Sequence, residues 1–141
     1  MPFCKRKCPY CSFYSVEYDE GLCESYVIAL KRNIEKYKGE AVFIDTVYFG
    51  GGTPSLLTPY QVRDILKSVN ESFILAPEME ITMEANPSSV DFDKLCDLIT
   101  ESPDSAVLVI RFDNIIFLLN ILYILIIIVF RIYSYPIIIH F

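Results

Sequence analysis

The sequence predicts an α/β fold with parallel strands, and three observations lead to it. Helical and strand patterns alternate along residues 1–100, in the order loop, helix, strand, helix, strand, helix, which is typical of βα units on a parallel sheet. The strand pattern at Val42–Phe49 is too apolar for one solvent-exposed face, as expected of a strand covered on both sides. A full (β/α)8 barrel needs roughly 200 to 250 residues, so a chain of 141 residues predicts a partial, truncated barrel.

The first helix and the first strand follow from periodicity and end signals. Apolar residues at helical spacing predict a helix from Asp19 or Glu20 to about Lys38. Gly39 then ends the helix as its C′ residue. The run Val42–Phe49 is rich in β-branched and aromatic residues and predicts the first strand.

The next helix, strand and helix follow the same signals. Thr58 caps the second helix and forms a capping box with Gln61. The run Met79–Glu84 predicts the second strand, and Ser89 or Asp91 caps the third helix. The helical residues predicted to face the core are Cys23, Tyr26, Val27, Leu30, Ile34, Tyr37, Val62, Ile65, Leu66, Val69, Phe73, Phe92, Leu95, Cys96 and Ile99.

Three cysteines, Cys4, Cys8 and Cys11, stand near the N-terminus in the pattern C-x3-C-x2-C; residues 4–15 are called the cysteine loop below. Thiolates suit iron–sulfur clusters, zinc or copper(I), and the basic run Lys5–Lys7 favours the thiolate form. A [4Fe–4S] cluster usually takes four cysteines, so three would leave one iron for a non-protein ligand. Zinc more often takes a fourth Cys or His, and the single histidine is the distant His140. A structural zinc knuckle or a chance grouping of thiols is the alternative.

Two further features follow strands. Gly50–Thr53, called the glycine turn below, comes directly after the first strand, and Glu84 ends the second. Loops after parallel strands lie on one edge of a sheet, where α/β proteins bind ligands, so we expect these features to converge. The cysteine loop would join them if it followed an additional strand of the same sheet. That strand would come before Cys4, and we expect it to be missing. Bare glycine backbone admits a ligand closely, although a plain tight turn and a solvated carboxylate are the alternatives.

Together these motifs resemble the radical S-adenosylmethionine (SAM) enzymes, in the cysteine pattern with its aromatic Tyr10 and in the run Phe49–Ser55. The resemblance implies a partial radical SAM (β/α) barrel in which Cys4, Cys8 and Cys11 hold a [4Fe–4S] cluster. It also implies that SAM binds the open iron and is cleaved after one-electron reduction, so an electron donor is a partner. The residues implied to line the SAM site are Tyr10, Gly51, Gly52, Thr53 and Glu84.

One segment narrows the resemblance to a branch. Thr82–Pro87 resembles the T-x-E-x-N-P segment of the oxygen-independent coproporphyrinogen III oxidase family, which includes the HemW-type haem chaperones. The true oxidases carry a further cysteine where this sequence has Phe13. The resemblance, which covers about residues 2–100, therefore implies a HemW-like protein of porphyrin or haem metabolism. Its partners would include haem or a haem-accepting protein.

Composition limits the other functions. A net charge of −6 argues against a nucleic-acid-binding surface. No signal peptide precedes the cysteines, and five cysteines with three clustered fit a reducing compartment better than disulfides. We therefore expect a cytoplasmic protein. Cys23 and Cys96 fall in helical patterns and are expected to be core residues.

The sequence divides into a partial radical SAM core, residues 1–104, and a hydrophobic tail, residues 105–141. Ala106–Phe112 is compatible with a strand. As a helix, Ile115–Phe130 would be about 24 Å long, short of the roughly 30 Å of membrane hydrocarbon. Membrane contact by the tail and a native core segment are alternatives to the interpretation we favour, a frameshift or intron read-through product. An uninterrupted native reading frame in the transcript from Asp91 to Asp113 would contradict it.

Because part of the barrel is expected to be absent, we expect this chain to be an inactive fragment. The alternative function is a membrane-tethered metal- or haem-binding module without catalysis. Iron, sulfide and zinc content discriminate the two, because only the radical SAM interpretation requires an iron–sulfur cluster.

Overall fold

Helices and strands alternate along the chain, as the sequence predicts. The computed structural model describes residues 1–100, 106–112 and 138–140. The strands are β1 (Phe3–Cys4), β2 (Val16–Glu17), β3 (Phe43–Phe49), β4 (Ile74–Ala85), β5 (Ala106–Phe112) and β6 (Ile138–His140), and the helices are α1 (Glu20–Glu35), α2 (Pro59–Ser72) and α3 (Phe92–Thr100).

The main sheet contains β3, β4, β5 and β6 in that order, and each neighbouring pair is parallel. Helix α2 connects β3 to β4, and α3 follows β4 toward β5, so the chain forms successive βα units. Parallel strands in sequential order form the wall of a (β/α) barrel. The predicted fold class, α/β with parallel strands, is therefore confirmed.

The main sheet extends past residue 104, where we expect the hydrophobic tail to begin. Ala106–Phe112 pairs with β4 along its whole length, and Ile138–His140 pairs in turn with β5. The apolar run Ile115–Phe130 lies outside the described residues. Within the described ranges, no helix has both the length and the apolar character to cross a membrane.

The core lies between one face of the main sheet and the helices. Alternate residues of β4, including Ile81 and Met83, are buried against Ile65 and Leu66 of α2. Cys23 of α1 is fully buried in the same core, as predicted, and burial raises the pKa of its thiol. Cys96 is only half-buried, and the side chain of Ile99 lies outside the described residues.

The ends of the helices are largely those that the sequence predicts. Thr58 and Gln61 form the expected capping box at the start of α2, and Asp91 caps α3 by accepting a hydrogen bond from the Lys94 N–H at 2.8 Å. Helix α1 ends at Glu35, earlier than predicted, because the chain turns before it reaches Gly39. Gly39 still adopts a positive φ of 94°.

Strand β4 is longer than predicted and begins at Ile74 rather than Met79. The register with β3 shifts between Ile44 and Thr46, so β4 contains extra residues at that point. One of them is Pro77, which has no N–H for a strand ladder and is tolerated at bulges. The register shift therefore accommodates Pro77, a residue that in the sequence pattern indicates the end of a strand.

Strand β3 is not covered on both faces, contrary to the sequence prediction. Phe49 is buried, whereas Phe43 is 69% exposed and Tyr48 is 51% exposed. The described helices pack on one face of the main sheet. On the other face, which would be the interior of a closed barrel, Tyr48 is exposed although its neighbour Thr82 is buried. The apolar composition of β3 predicted burial of both its faces, and burial of the second face would require the opposite wall of a closed barrel.

A two-residue strand leads into the cysteine loop, but it is not part of the main sheet. Phe3–Cys4 pairs in parallel with Val16–Glu17 in a separate two-stranded sheet. Phe3 is buried against Tyr26 of α1, with ring centroids 5.5 Å apart in an edge-to-face contact. This packing places Cys4 beside the carboxyl edge of the main sheet.

Candidate functional site

A cavity of about 850 Å³ opens at the carboxyl edge of the main sheet. The cysteine loop, the glycine turn and the end of β4 form its walls. Every site residue that the sequence predicts lines this cavity, namely Cys4, Cys8, Tyr10, Cys11, Gly51, Gly52, Thr53 and Glu84.

The three loop cysteines surround the cavity as free thiols. Cys4 and Cys11 are half-buried and Cys8 is exposed, and Cys11 N–H donates to the Cys8 carbonyl at 3.1 Å in a tight turn. Among the described residues, no three His, Cys, Asp or Glu side chains lie close enough together to bind one metal ion. In an iron–sulfur cluster, each thiolate binds its own iron. Three thiols that line one cavity are the donors that a cluster with one open iron would take.

The glycine turn packs directly against β1. A Cβ on Gly52 would lie 2.5 Å from the Phe3 carbonyl oxygen and 3.1 Å from the Cys4 sulfur. Gly51 has a positive φ of 104°, which side chains rarely adopt. From the sequence, the glycines are expected to allow close approach of a ligand. In the structure they are required first by contacts within the chain, which bring the Cys4 sulfur to 3.7 Å from the Thr53 hydroxyl.

Glu84 is held at the glycine turn rather than extended into solvent. Its Oε2 accepts a hydrogen bond from the Gly51 N–H at 3.1 Å, and its Oε1 accepts one from the Tyr48 hydroxyl. The expected convergence of Glu84 with the glycine turn is therefore observed. Tyr48, which the sequence pattern marks only as part of an apolar strand, is a further residue at this site.

Tyr10 lines the cavity, but its side chain is 83% exposed. Tyr10 therefore lies at the surface of the cavity and is not a core residue. Its hydroxyl forms a hydrogen bond with Cys8, which raises the pKa of the phenol. Phe13, at the position that separates the two branches, also lines the cavity and is 70% exposed.

Two lysines of the cysteine loop anchor it, in addition to supplying positive charge. The Lys5 ammonium donates to the Ser88 carbonyl at 2.7 Å, and the Lys7 ammonium donates to the Phe13 carbonyl at 3.0 Å. The first bond joins the loop to the turn after β4. The second closes the loop on itself.

A polar network that the sequence did not reveal supports the wall of the cavity that follows β4. Ser55, which is fully buried, accepts a hydrogen bond from the Asn86 N–H at 3.0 Å through its hydroxyl. The Lys94 ammonium donates to the Ser55 carbonyl at 2.7 Å and the Ser89 carbonyl at 3.4 Å. Burial lowers the pKa of Lys94. The sequence signal for this network is that Ser55 and Asn86 both belong to motifs that resemble the family. Lys94 has no such signal, because it reaches Ser55 only through the fold.

Comparison with known proteins identifies the family. The profile of the radical SAM superfamily matches residues 1–110. The chain is 39% identical over 94 residues to the heme chaperone HemW of Mycobacterium tuberculosis, covering 63% of this chain and 24% of that protein. It is 37% identical over 103 residues to HemW of Escherichia coli, covering 69% and 26%. It is 36% identical over 99 residues to anaerobilin synthase of Escherichia coli O157:H7, covering 67% and 22%.

A solved structure agrees with these relatives. Coproporphyrinogen III oxidase (HemN) from Escherichia coli, described as a radical SAM enzyme, matches with a TM-score of 0.66 at 25% identity, covering 79% of this chain and 26% of that one. The chain thus spans about a quarter of the length of its relatives. The profile match, these relatives and the parallel sheet together show that the chain belongs to the radical SAM superfamily, in the branch that resembles HemW and HemN.

Proposed function

We propose that the three thiols of the cysteine loop hold a [4Fe–4S] cluster and that SAM binds between that cluster and the glycine turn. The observation that carries this proposal is that one cavity is lined by all three thiols, the glycine turn and Glu84. When bound, the cluster supplies the electron for reductive cleavage of SAM. The chain supplies the thiolates, the backbone of the turn and the carboxylate that orient the two groups.

The charges at the cavity suit this division. SAM carries a positive sulfonium and a positive amino group, and the Glu84 carboxylate supplies a fixed negative charge beside the glycine turn. Thr53 lies within 3.7 Å of the Cys4 sulfur, so the SAM side and the cluster side share a boundary. Gly51, Gly52, Thr53 and Tyr10 complete the proposed SAM site.

We propose that the whole protein acts in porphyrin or haem metabolism as a HemW-like haem chaperone, of which this chain, spanning about a quarter of the length of its relatives, supplies the proposed cluster and SAM site. The relatives that carry the name HemW support this assignment, and so does Phe13, which leaves no thiol where the true oxidases have one. Its partners would be an electron donor and haem or a haem-accepting protein. We place it in the cytoplasm, because all five cysteines are free and free thiols persist in reducing compartments.

Anaerobic reconstitution of the chain tests the cofactor proposal. We expect about four irons and four sulfides per chain, and an electron paramagnetic resonance spectrum of the reduced cluster that changes when SAM is added. C8A should lose the cluster, whereas C96A, a matched change outside the cavity, should keep it. One zinc without a chromophore would support the metal-binding module instead. A cluster whose spectrum does not change when SAM is added would overturn the proposal that SAM binds beside it.

A second assay separates haem transfer from oxidation. The full-length protein, reconstituted with its cluster, should bind haem, measured by absorbance titration, and should not decarboxylate coproporphyrinogen III in the presence of reductant and SAM. Decarboxylated product would contradict the chaperone assignment. Absence of haem binding would contradict it as well, since the chaperone function requires that step.

A further inference from the structure

Tyr48 reaches Glu84 across the open face of the main sheet. Tyr48 of β3 pairs in register with Thr82 of β4, so Glu84 stands two residues further toward the carboxyl edge. The Tyr48 side chain lies along this diagonal, and its hydroxyl donates a hydrogen bond to Glu84 Oε1. Diagonal neighbours in a sheet are within reach of aromatic side chains.

Gly50 provides the space for this contact. A Cβ on Gly50 would lie 2.3 Å from Cε1 and 2.9 Å from Cδ1 of the Tyr48 ring, and 3.5 Å from Glu84 Oε2. The first two distances are too short for real atoms, so a side chain at residue 50 would displace the ring. The first glycine of the turn therefore admits Tyr48, whereas the next two pack against residues 1–4.

The two donors hold opposite oxygens of one carboxylate. Gly51 N–H binds Oε2 at 3.1 Å, and the Tyr48 hydroxyl binds Oε1. A carboxylate has about four acceptor sites, so one donor on each oxygen fixes its plane and leaves acceptor sites for a ligand. Without Tyr48, Glu84 could rotate about its remaining bond to the turn.

We infer that Tyr48 is a positioning residue that acts through Glu84 to set the carboxylate for binding SAM. The inference rests on the proposed function, because it concerns the same cavity. Tyr48 itself does not line that cavity among the residues described. Tyr48 is 51% exposed, so the fold should accommodate the loss of its hydroxyl.

The test measures SAM binding to the reconstituted full chain by equilibrium dialysis. Y48F keeps the ring and removes the hydroxyl, and we expect SAM to bind about ten- to hundredfold more weakly, as for loss of one hydrogen bond to a charged group. Y60F is the matched control. Tyr60 lies on α2 and is 61% exposed, with Arg63 over its ring, so its hydroxyl should not matter.

Double mutants show whether Tyr48 acts through Glu84. E84A should weaken SAM binding, and Y48F should have no further effect in the E84A background. G50A should reproduce the Y48F defect and should not add to it, because both changes remove the same contact. In the SAM-free chain, the carboxyl NMR resonance of isotope-labelled Glu84 should shift in Y48F and stay unchanged in Y60F.

The outcomes separate the inference from the proposed function. Wild-type chain that carries a cluster and does not bind SAM overturns the proposed function and this inference together. Wild-type binding that E84A weakens and Y48F leaves intact overturns only the inference. A Y48F defect of equal size in the E84A background also overturns it, because Tyr48 would then act independently of Glu84.

Discussion

The two loops that form the cavity differ in how firmly the chain holds them. The glycine turn is fixed by hydrogen bonds from Gly51 N–H to Glu84 and from Gly52 N–H to the Met1 carbonyl, the latter at 2.6 Å. The cysteine loop is mostly exposed and is held by its lysine anchors and one tight turn. We infer from this comparison that the proposed SAM side is preformed, and we predict that binding of the proposed cluster would further order the cysteine loop.

Limited proteolysis should show the largest difference between the loops. Trypsin should cleave after Lys5, Arg6 or Lys7, all of which are exposed, at least about tenfold faster in the cluster-free chain than in the reconstituted chain. Cleavage after Lys36 and Lys38, which are exposed and remote from the cavity, provides the internal control and should not change. Mass spectrometry gives the rates. Equal protection of the cysteine loop in both states would show that the chain orders it without metal.

Replacing glycines should show the rigidity of the other loop. G52A places a Cβ 2.5 Å from the backbone of Phe3, which cannot move freely, and we expect a loss of about 2 to 3 kcal/mol in the free energy of unfolding. G39A is the matched control, since Gly39 also has a positive φ but has nothing within 4 Å of the added Cβ. It should lose about 1 kcal/mol, the cost of the backbone conformation alone. Urea unfolding measures both, and equal losses would mean that the turn is not tightly packed against β1.

Alkaline titration should show the smallest effects, with opposite signs at the site and in the body of the fold. Burial lowers the pKa of Lys94 below 10.5, so its charged form costs stability until the pH passes that lowered pKa. The advantage of wild type over K94M should therefore grow as the pH rises toward 10.5. A hydrogen bond to Asp64 raises the pKa of Lys31 above 10.5, so the advantage over K31M should be lost as the pH rises through it. Each effect should stay below about 1 kcal/mol, and equal signs in the two urea-unfolding series would contradict the assignment.

Local patterns predicted most of the elements correctly. The capping box at Thr58, the cap at Asp91 and the burial of Cys23 follow from residues within one or two turns of each other. The strand errors have a different cause. The exposure of Phe43 and the early start of β4 depend on which surfaces face a strand and on a register shift, and neither is encoded in a short window of sequence.

The sequence predicted the residues that line the candidate site but not the residues that hold them in place. The cysteines, the glycine turn and Glu84 stand in compact motifs, so spacing and the parallel-sheet rule were enough to bring them together. Tyr48, Ser55 and Lys94 could not be recognised in that way. Tyr48 meets Glu84 across 36 positions, and Lys94 meets Ser55 across 39.

The sequence by itself determined the α/β class, the family resemblance and the residues gathered at one sheet edge, because periodicity and motif spacing act over short distances along the chain. Only the tertiary structure decided how those residues are held. In the folded chain, Gly52 packs against the Cys4 thiol, the Tyr48 ring lies over Gly50, and Tyr48 of β3 is exposed. These features depend on atoms from distant segments meeting at van der Waals or hydrogen-bond distance, and such meetings are set by the packing of whole elements rather than by any local pattern.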